Sequence, residues 1–346
     1  MQGTKADLMR GLWYVAAPGT ALKPGKMLAK TLLNEPVLIC RKSDGGVFAL
    51  RDACPHRGIP LRYGSFDGTT VQCCYHGWRF GEGGGCTEIP SLAPGQRMDI
   101  SKINTGDYPC VERQGVIWIF FGERGETPSG PPPAFPHFDK APDAFVSMPF
   151  DCSADHAAFG LMDPTHAAFV HTSWWFKKDA ATLKAKEKHF APSELGWSMV
   201  RHQVPGRNIA YRPLGRKVET QISYMLPGLR IEEIAGETHQ VVSVTAITPL
   251  TESTTEVIQL IWWSLPWMRP FKPLLRHLAR VFIDQDRAVV QKQKEGLEHN
   301  PRLMLIPDAD TQAKWWMRMK DEWVAHRRDD REFRNPIRET VLRWRS

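Results

Sequence analysis

Cys54-Pro55-His56-Arg57-Gly58, and then, after a gap, Cys73-Cys74-Tyr75-His76-Gly77-Trp78, is the part of this chain that decides its fold. Two Cys/His pairs sit in turn-like surroundings, with 16 residues between His56 and Cys73. Thiolates and imidazoles in equal number suit a zinc ion or a [2Fe–2S] cluster of mixed ligation, in which two thiolates hold one iron and two imidazoles the other. Each loop here offers one Cys and one His, so each loop can give one ligand to each iron. Zinc fingers pair Cys with Cys and His with His along the chain. The order of ligands therefore favours the cluster.

Working outward, the first third is strand-like. Pro36–Cys40, Val47–Ala49, Val71–Cys73 and Val116–Phe121 are short apolar runs bounded by turn residues, which predicts a small antiparallel β domain. Gly125–Pro136 is rich in proline and reads as a linker. The expected division is 1–124, a linker over 125–140, and 141–346. In the last part Ala154–His171 reads as helical. Glu219–Pro249 and Glu256–Leu265 alternate like strands, and apolar residues recur at helical spacing after Pro270. The fold class is thus α+β: an all-β first domain, then an α+β domain with an antiparallel sheet flanked by helices.

The 346 residues include 42% hydrophobic and 24% charged residues, ordinary for a globular protein of two domains. No leader-like start and no apolar run of membrane-span length is read, so a cytoplasmic protein without a membrane span is expected. Seven cysteines, an odd number, point to metal or free thiols instead of a disulfide framework. The net charge is +7, and the mixed-charge tail from Lys314 to Arg345 reads as a solvated helical surface. Nucleic-acid binding would need a denser basic face, although an acidic redox partner can use the positive field.

A second donor set lies downstream in Asp163-Pro164-Thr165-His166-Ala167-Ala168-Phe169-Val170-His171. Two histidines five apart can face one point if the helix ends between them. With one carboxylate they make the facial triad of non-haem Fe(II) oxygenases, which leaves positions open for O₂. Alone, such a pair is as often structural.

C-P-H-R-G followed by C-x-Y-H-G-W resembles the signature of the Rieske ring-hydroxylating oxygenases, and with the histidine pair the resemblance covers nearly the whole chain. It implies a Rieske [2Fe–2S] cluster on Cys54, His56, Cys73 and His76, and a mononuclear iron on His166 and His171. Phe282-Ile283-Asp284-Gln285-Asp286-Arg287 resembles the family segment that carries the third ligand, which falls on Asp286, with Asp284 as the alternative. The resemblance also gives Asp163 a role as an electron-transfer bridge between subunits of a homotrimer. Two positions depart from the family. Cys74 stands where Pro is usual, and Gly160 stands where Asn is common. Respiratory Rieske proteins carry an additional cysteine in each loop, at positions held here by Ile59 and Tyr75.

The implied activity is O₂-dependent hydroxylation of a small aromatic or related hydrophobic substrate. Electrons would come from a separate NAD(P)H-dependent reductase, with or without a ferredoxin. No G-x-G-x-x-G follows a strand here, and Gly81–Gly85 reads as a tight turn. Gly11–Ala16 and Leu32–Val37 look like the vanillate O-demethylase branch, implying a monooxygenase that releases formaldehyde from a methoxyl group. Ring dioxygenation and benzylic or alicyclic hydroxylation are alternatives, and a bare Rieske electron carrier is the non-enzyme reading. Phe169, Trp174 and Trp175, with Phe176, are candidates for the substrate pocket, though plain core is an equal expectation for aromatic residues. Arg201, Arg207 and Arg212 are weaker candidates for a carboxylate site. Trp267–Phe282 is expected to form a helix packed on the second domain, with peripheral membrane contact as the lesser reading.

Overall fold

The computed structural model describes residues 8–171, 173, 183–204, 213–215 and 217–346. Its contacts divide the chain into Arg10–Ala134 and a unit formed mainly by Phe135–Ser346.

The first unit is built of short antiparallel strands: β1 (Leu12–Pro18), β2 (Lys26–Leu32), β3 (Glu35–Arg41), β4 (Val47–Arg51), β5 (Ser65–Phe66), β6 (Val71–Gln72), β7 (Arg79–Phe80), β8 (Cys86–Glu88), β9 (Asp107–Tyr108), β10 (Cys110–Arg113) and β11 (Val116–Phe121). They form sheets of order β1-β11-β10, β2-β3-β4-β9 and β5-β6-β7-β8. All six residues of β11 are buried, as an uninterrupted apolar run requires of a central strand. The β2–β3 hairpin turns on Leu33 and Asn34, both at positive φ (50° and 63°), the backbone that a two-residue hairpin loop demands. One core cluster joins Leu38, Phe48, Leu50, Leu61, Val71 and Phe80 to Cys54 and Cys73. The cysteines of both loops are thus part of the hydrophobic core.

In the second unit an eight-stranded sheet runs β12-β18-β17-β16-β15-β14-β13-β19. Its strands are β12 (Ala144–Phe150), β13 (Ala185–Ser193), β14 (Gly196–Gln203), β15 (Glu219–Met225), β16 (Leu229–Ala235), β17 (Gln240–Pro249), β18 (Thr255–Trp263) and β19 (Thr340–Arg345), every pairing antiparallel. One rung across it is Val146–Gln259–Thr245–Arg230–Tyr224–Trp197, and cross-strand partners share a face. The helices are α1 (Ala154–Met162), α2 (Ala167–Val170), α3 (Lys272–Leu297) and α4 (Thr311–Arg328). Helix α4 covers the face that carries this rung. Trp315 packs edge-on against Trp197 at 5.8 Å, and the Trp197 indole donates to Gln312 at 3.0 Å.

Four expectations need correction. Ala154–His171 is not one helix. Pro164 disfavours helical backbone at the preceding residue, Asp163 is extended (ψ 116°), and α1 stops at Met162. The C-terminal part is not helical to its end, because β19 returns to pair with β13. The basic tail is not merely a solvated surface, since Trp315, Trp316, Met319 and Trp323 of α4 are buried. Finally, the Trp267–Phe282 segment packs on the second unit by one face only: Met268 and Leu275 lie against a core cluster with Ala144 and Leu265, while Trp267, Phe271 and Leu274 are 55%, 49% and 52% exposed. Among the described residues, no helix is long and apolar enough to cross a membrane.

Candidate functional site

The two Cys/His loops are built alike. In the first, the Cys54 amide donates to the Ile59 carbonyl and the Gly58 amide to the Cys54 carbonyl, both at 2.8 Å. In the second, the Cys73 amide donates to the Trp78 carbonyl at 2.8 Å and the Gly77 amide to the Cys73 carbonyl at 3.1 Å. Each loop closes on a glycine four residues after its cysteine, at φ 73° and 72°, a left-handed conformation that glycine adopts without strain. The buried Asp52 carboxylate brackets the first loop, accepting from the Arg62 amide at 2.8 Å and pairing with its guanidinium at 2.7 Å.

These loops bring the four expected donors together. The Cys54 and Cys73 thiols contact one another, and the His56 and His76 rings lie 4.5 Å apart. Trp78 stacks on His56 at 4.5 Å and 3°, while Tyr75 leans on His76 at 3.9 Å. Cys74 is exposed where Cys73 is buried, so it points away from the set. Burial pushes the Cys54 thiol up to about 11, so the proton stays on until a metal displaces it. Two adjacent buried thiols beside two imidazoles fit the donor set of a Rieske cluster.

In the second unit, His166, His171 and Asp286 offer ligand atoms that all lie within 4.8 Å of one another. Asp286 Oδ1 is 3.6 Å from His166 Nε2 and 3.5 Å from His171 Nε2. Two donors each about 2 Å from one ion lie at most about 4 Å apart. The ring orientations are fixed from behind. His166 Nδ1 faces the Asp163 carbonyl oxygen at 2.7 Å. His171 Nδ1 faces Gln285 Oε1 at 3.2 Å, and Gln285 in turn donates to Ser173 at 2.8 Å. Both acceptors hold the proton on Nδ1, so each Nε2 presents its lone pair towards Asp286. Phe282 stacks on the His171 ring at 3.6 Å.

The electrostatics suit a cation. Desolvation lowers His171 to about 4 and also lowers His166, so both rings are neutral at pH 7. Desolvation pushes the Asp286 carboxyl up to about 7, opposed by the nearby Arg230 charge. With both imidazoles neutral, these contacts are no ordinary salt bridge; they form a donor set that suits a divalent ion. The residues fit the 2-His-1-carboxylate ligation of non-haem iron. Asp284 is committed elsewhere, to Arg287 at 2.5 and 2.8 Å, so the geometry favours Asp286.

Asp163 follows α1 directly. Its side chain accepts from the Thr165 amide and hydroxyl at 2.7 and 2.6 Å, and its carbonyl holds His166. In α1, a Cβ built on Gly160 meets nothing within 4 Å, so space for the usual Asn exists. Phe169 is mostly exposed, while Trp174, Trp175, Phe176, Arg207 and Arg212 lie outside the described residues. Arg201 pairs with Glu233 at 2.9 Å. Gly81–Gly85 is a turn closed by the Gly81 amide on the Gly85 carbonyl at 3.0 Å. A 660 Å³ recess in the first unit, lined by Trp13, Phe48, Tyr108 and Cys110 among others, contains none of the metal donors.

Three residues escaped sequence reasoning. Gln285 stands beside Asp286 in the quoted run, so its role was within reach. Gln312 bridges the Trp197 indole to the Met162 carbonyl at 3.0 Å on each side, a link between distant segments with no local signal. Arg230 is charged beside the donor set; burial opposes its charge, but Glu232 and Tyr224 outweigh it.

Comparison with known families finds a Rieske [2Fe-2S] domain over residues 12–109 and a vanillate O-demethylase oxygenase C-terminal domain over residues 150–326. The chain is 35% identical over 180 residues to the iron-sulfur subunit of a toluene-4-sulfonate monooxygenase system from Comamonas testosteroni, covering 51% of this chain and 50% of the relative. It is 36% identical over 168 residues to the oxygenase component of dicamba O-demethylase from Stenotrophomonas maltophilia, covering 47% and 48%. The match therefore spans about half the length of these curated relatives. In structure it is similar to dicamba monooxygenase bound to dicamba, with TM-score 0.73, 24% identity, and 93% of this chain and 98% of that one covered.

Proposed function

The chain belongs to the Rieske oxygenases with a vanillate O-demethylase-type C-terminal domain, and from that premise we propose that it is the terminal oxygenase component of a multi-component monooxygenase. The observation that carries the reading is the convergence of His166, His171 and Asp286 in a chain whose first unit gathers Cys54, His56, Cys73 and His76. Cys54 and Cys73 would hold one iron of the cluster, and His56 and His76 the other. His166, His171 and Asp286 would hold the mononuclear iron.

When bound, the cluster supplies one-electron transfer and the mononuclear iron supplies reductive activation of O₂. The chain's own residues set the conditions. Asp286 contributes the one carboxylate among the three donors. The Asp163 carbonyl and Gln285 keep both imidazoles aimed at one point. Asp163, beside His166, is the proposed bridge to His76 of a neighbouring subunit in a head-to-tail homotrimer. Electrons would come from a separate NAD(P)H-dependent reductase, with or without a ferredoxin, in the cytoplasm. For a methoxylated aromatic, the substrate with O₂, two electrons and two protons gives a phenol, formaldehyde and water.

The test is anaerobic reduction followed by O₂, with a panel of methoxybenzoates and hydrocarbons, assaying formaldehyde and hydroxylated products. Formaldehyde with phenol supports demethylation. Hydroxylated product without formaldehyde rejects demethylation and retains the oxygenase. An electron carrier would hold two irons per chain where the oxygenase holds three, so iron content separates the two readings.

A further inference from the structure

We propose that the second unit docks on an anionic lipid surface through Trp267–Arg280, the turn before α3 and the start of that helix. Trp267, Phe271 and Leu274 enter the headgroup layer, and Arg269, Arg276 and Arg280 meet the lipid phosphates. Lipid binding of this kind is independent of the oxygenase reading and is measured without turnover.

The apolar half of the patch follows from how the segment is anchored. The chain makes a 3-10 turn over Pro266–Phe271 and runs on into α3. Met268 and Leu275 hold it to the core cluster with Ala144 and Leu265. That fixes which side faces outward, and Trp267, Phe271 and Leu274 are left exposed there. The Trp267 and Phe271 rings meet edge-on at 6.3 Å, so the apolar groups are neighbours and not scattered. Every other described tryptophan is buried or half-buried. An indole exposed in this way is costly in water and well suited to a boundary that is apolar on one side and wet on the other. Pro266, Pro270 and Pro273 are exposed as well. Proline has no N–H to strip of water, which lowers the cost of bringing this backbone against lipid.

The charged half is one-sided. From Leu265 to Ile283 the chain has no acidic residue, and Arg269, Lys272, Arg276 and Arg280 are basic. Lys272 is spent on Asp143 at 3.1 Å. The three arginines are exposed. Arg276 lies over the Phe145 ring at 5.0 Å, and none of the three pairs with a carboxylate among the described residues. Arg276 and Arg280 stand four apart on α3, where like charges repel. Leu274, His277 and Arg280 step round the exposed side of the helix, about 60° apart. An apolar flank beside a basic flank, with an aromatic at its end, is the composition of a helix that lies in a membrane interface. Lipid satisfies both halves at once, phosphates for the arginines and the acyl boundary for the aromatics. A second copy seated patch to patch would set arginine against arginine.

The experiment is co-sedimentation of the full-chain holoenzyme with two kinds of vesicle: phosphatidylcholine alone, and equal parts of phosphatidylcholine and phosphatidylglycerol. At low salt the wild type is expected to pellet with the anionic vesicles and to stay in solution with the neutral ones. Arg269→Gln with Arg280→Gln should weaken binding roughly 25-fold, at about fivefold per cation near an anionic surface, and raised salt should also weaken it. Arg334→Gln with Arg338→Gln removes the same charge from exposed positions elsewhere and should change binding little. Trp267→Ser with Phe271→Ser should release the protein from the anionic vesicles. Should that pair disturb folding, Trp267→Phe serves: it should still bind, while bromine-labelled acyl chains quench less of its tryptophan emission than of the wild type's. Equal sedimentation with both vesicles, sedimentation with neither, an equal loss in the Arg334/Arg338 pair, or equal quenching in Trp267→Phe overturns the proposal. Without vesicle binding, a smaller oligomer in the Trp267/Phe271 pair assigns the patch to a second copy, and lost reductase-supported turnover in the Arg269/Arg280 pair assigns it to an acidic protein. Either outcome overturns the proposal as well.

Discussion

Asp284 and Asp286 stand two residues apart on α3, and their surroundings separate them. Asp284 is tied to Arg287 in an i,i+3 pair, while Asp286 faces two imidazole nitrogens. Asp286→Asn is therefore expected to lower iron from three to two per chain while leaving the cluster's visible absorption intact. Asp284→Asn should leave three. Retention of three irons by the Asp286 variant would move the third ligand elsewhere. The raised Asp286 carboxyl also fixes a pH dependence. Below about 7 a metal ion must displace the carboxyl proton, so apparent affinity rises with pH, about tenfold per unit. Above about 7 it levels off. His171, protonated only below about 4, adds nothing in that range. Cobalt(II) titration of metal-depleted protein between pH 5.5 and 8.5 reads this directly; a flat profile would remove desolvated Asp286 from the site.

At the scale of elements, the cluster loops were legible and the frame of the iron site was not. Cys54, His56, Gly58 and Cys73, His76, Gly77 announce themselves because ligand spacing and left-handed turns are local properties. The two glycines are not equally tolerant. Both sit near φ 72°, but a Cβ on Gly77 would meet Gln72 and Pro90 at 3.3 Å, whereas one on Gly58 meets nothing within 4 Å. Gly77→Ala should thus reduce cluster occupancy more than Gly58→Ala, as read by acid-labile sulfide per chain. The frame is another matter. Pro164 marks a helix end that the sequence reading passed over, although the rule for it is local. Gln312 holds the Trp197 indole and the Met162 carbonyl from 150 residues beyond Met162, and β19 closes on β13 from the far end of the chain. No periodicity records such pairings. Gln312→Leu leaves both buried partners unsatisfied, at a cost of about 1–3 kcal/mol each. Chemical denaturation should register that loss, together with weaker metal binding as the end of α1 loosens.

At the scale of the whole molecule, the claim with most to lose is that electrons pass between subunits. His76 is half-buried on a loop whose Cys74 and Tyr75 are exposed; its ring meets Tyr75 and the edge of His56, and part of it stays open to a partner. Asp163 keeps 30% of its side chain exposed while its backbone holds His166. Each offers a half-contact that a second copy of the chain can complete. In the proposed homotrimer, a head-to-tail contact of this kind closes into a ring. His76→Ala breaks the relay, and Asp286→Asn removes the mononuclear iron, so neither protein alone should turn over. Co-expressed in equal amounts, they assemble into mixed rings. Half the subunits then keep the iron site, and half of those have an intact cluster on the one neighbour that serves them. Activity should return to about one quarter of wild type, since each site in a cyclic assembly draws on a single neighbour. Adding Asp163→Asn to the chain that keeps the iron site should abolish the recovery while that chain holds its mononuclear iron and the other chain its cluster. If mixed oligomers form, as native mass spectrometry can establish, and no activity returns, transfer runs within one chain and Asp163 is no bridge.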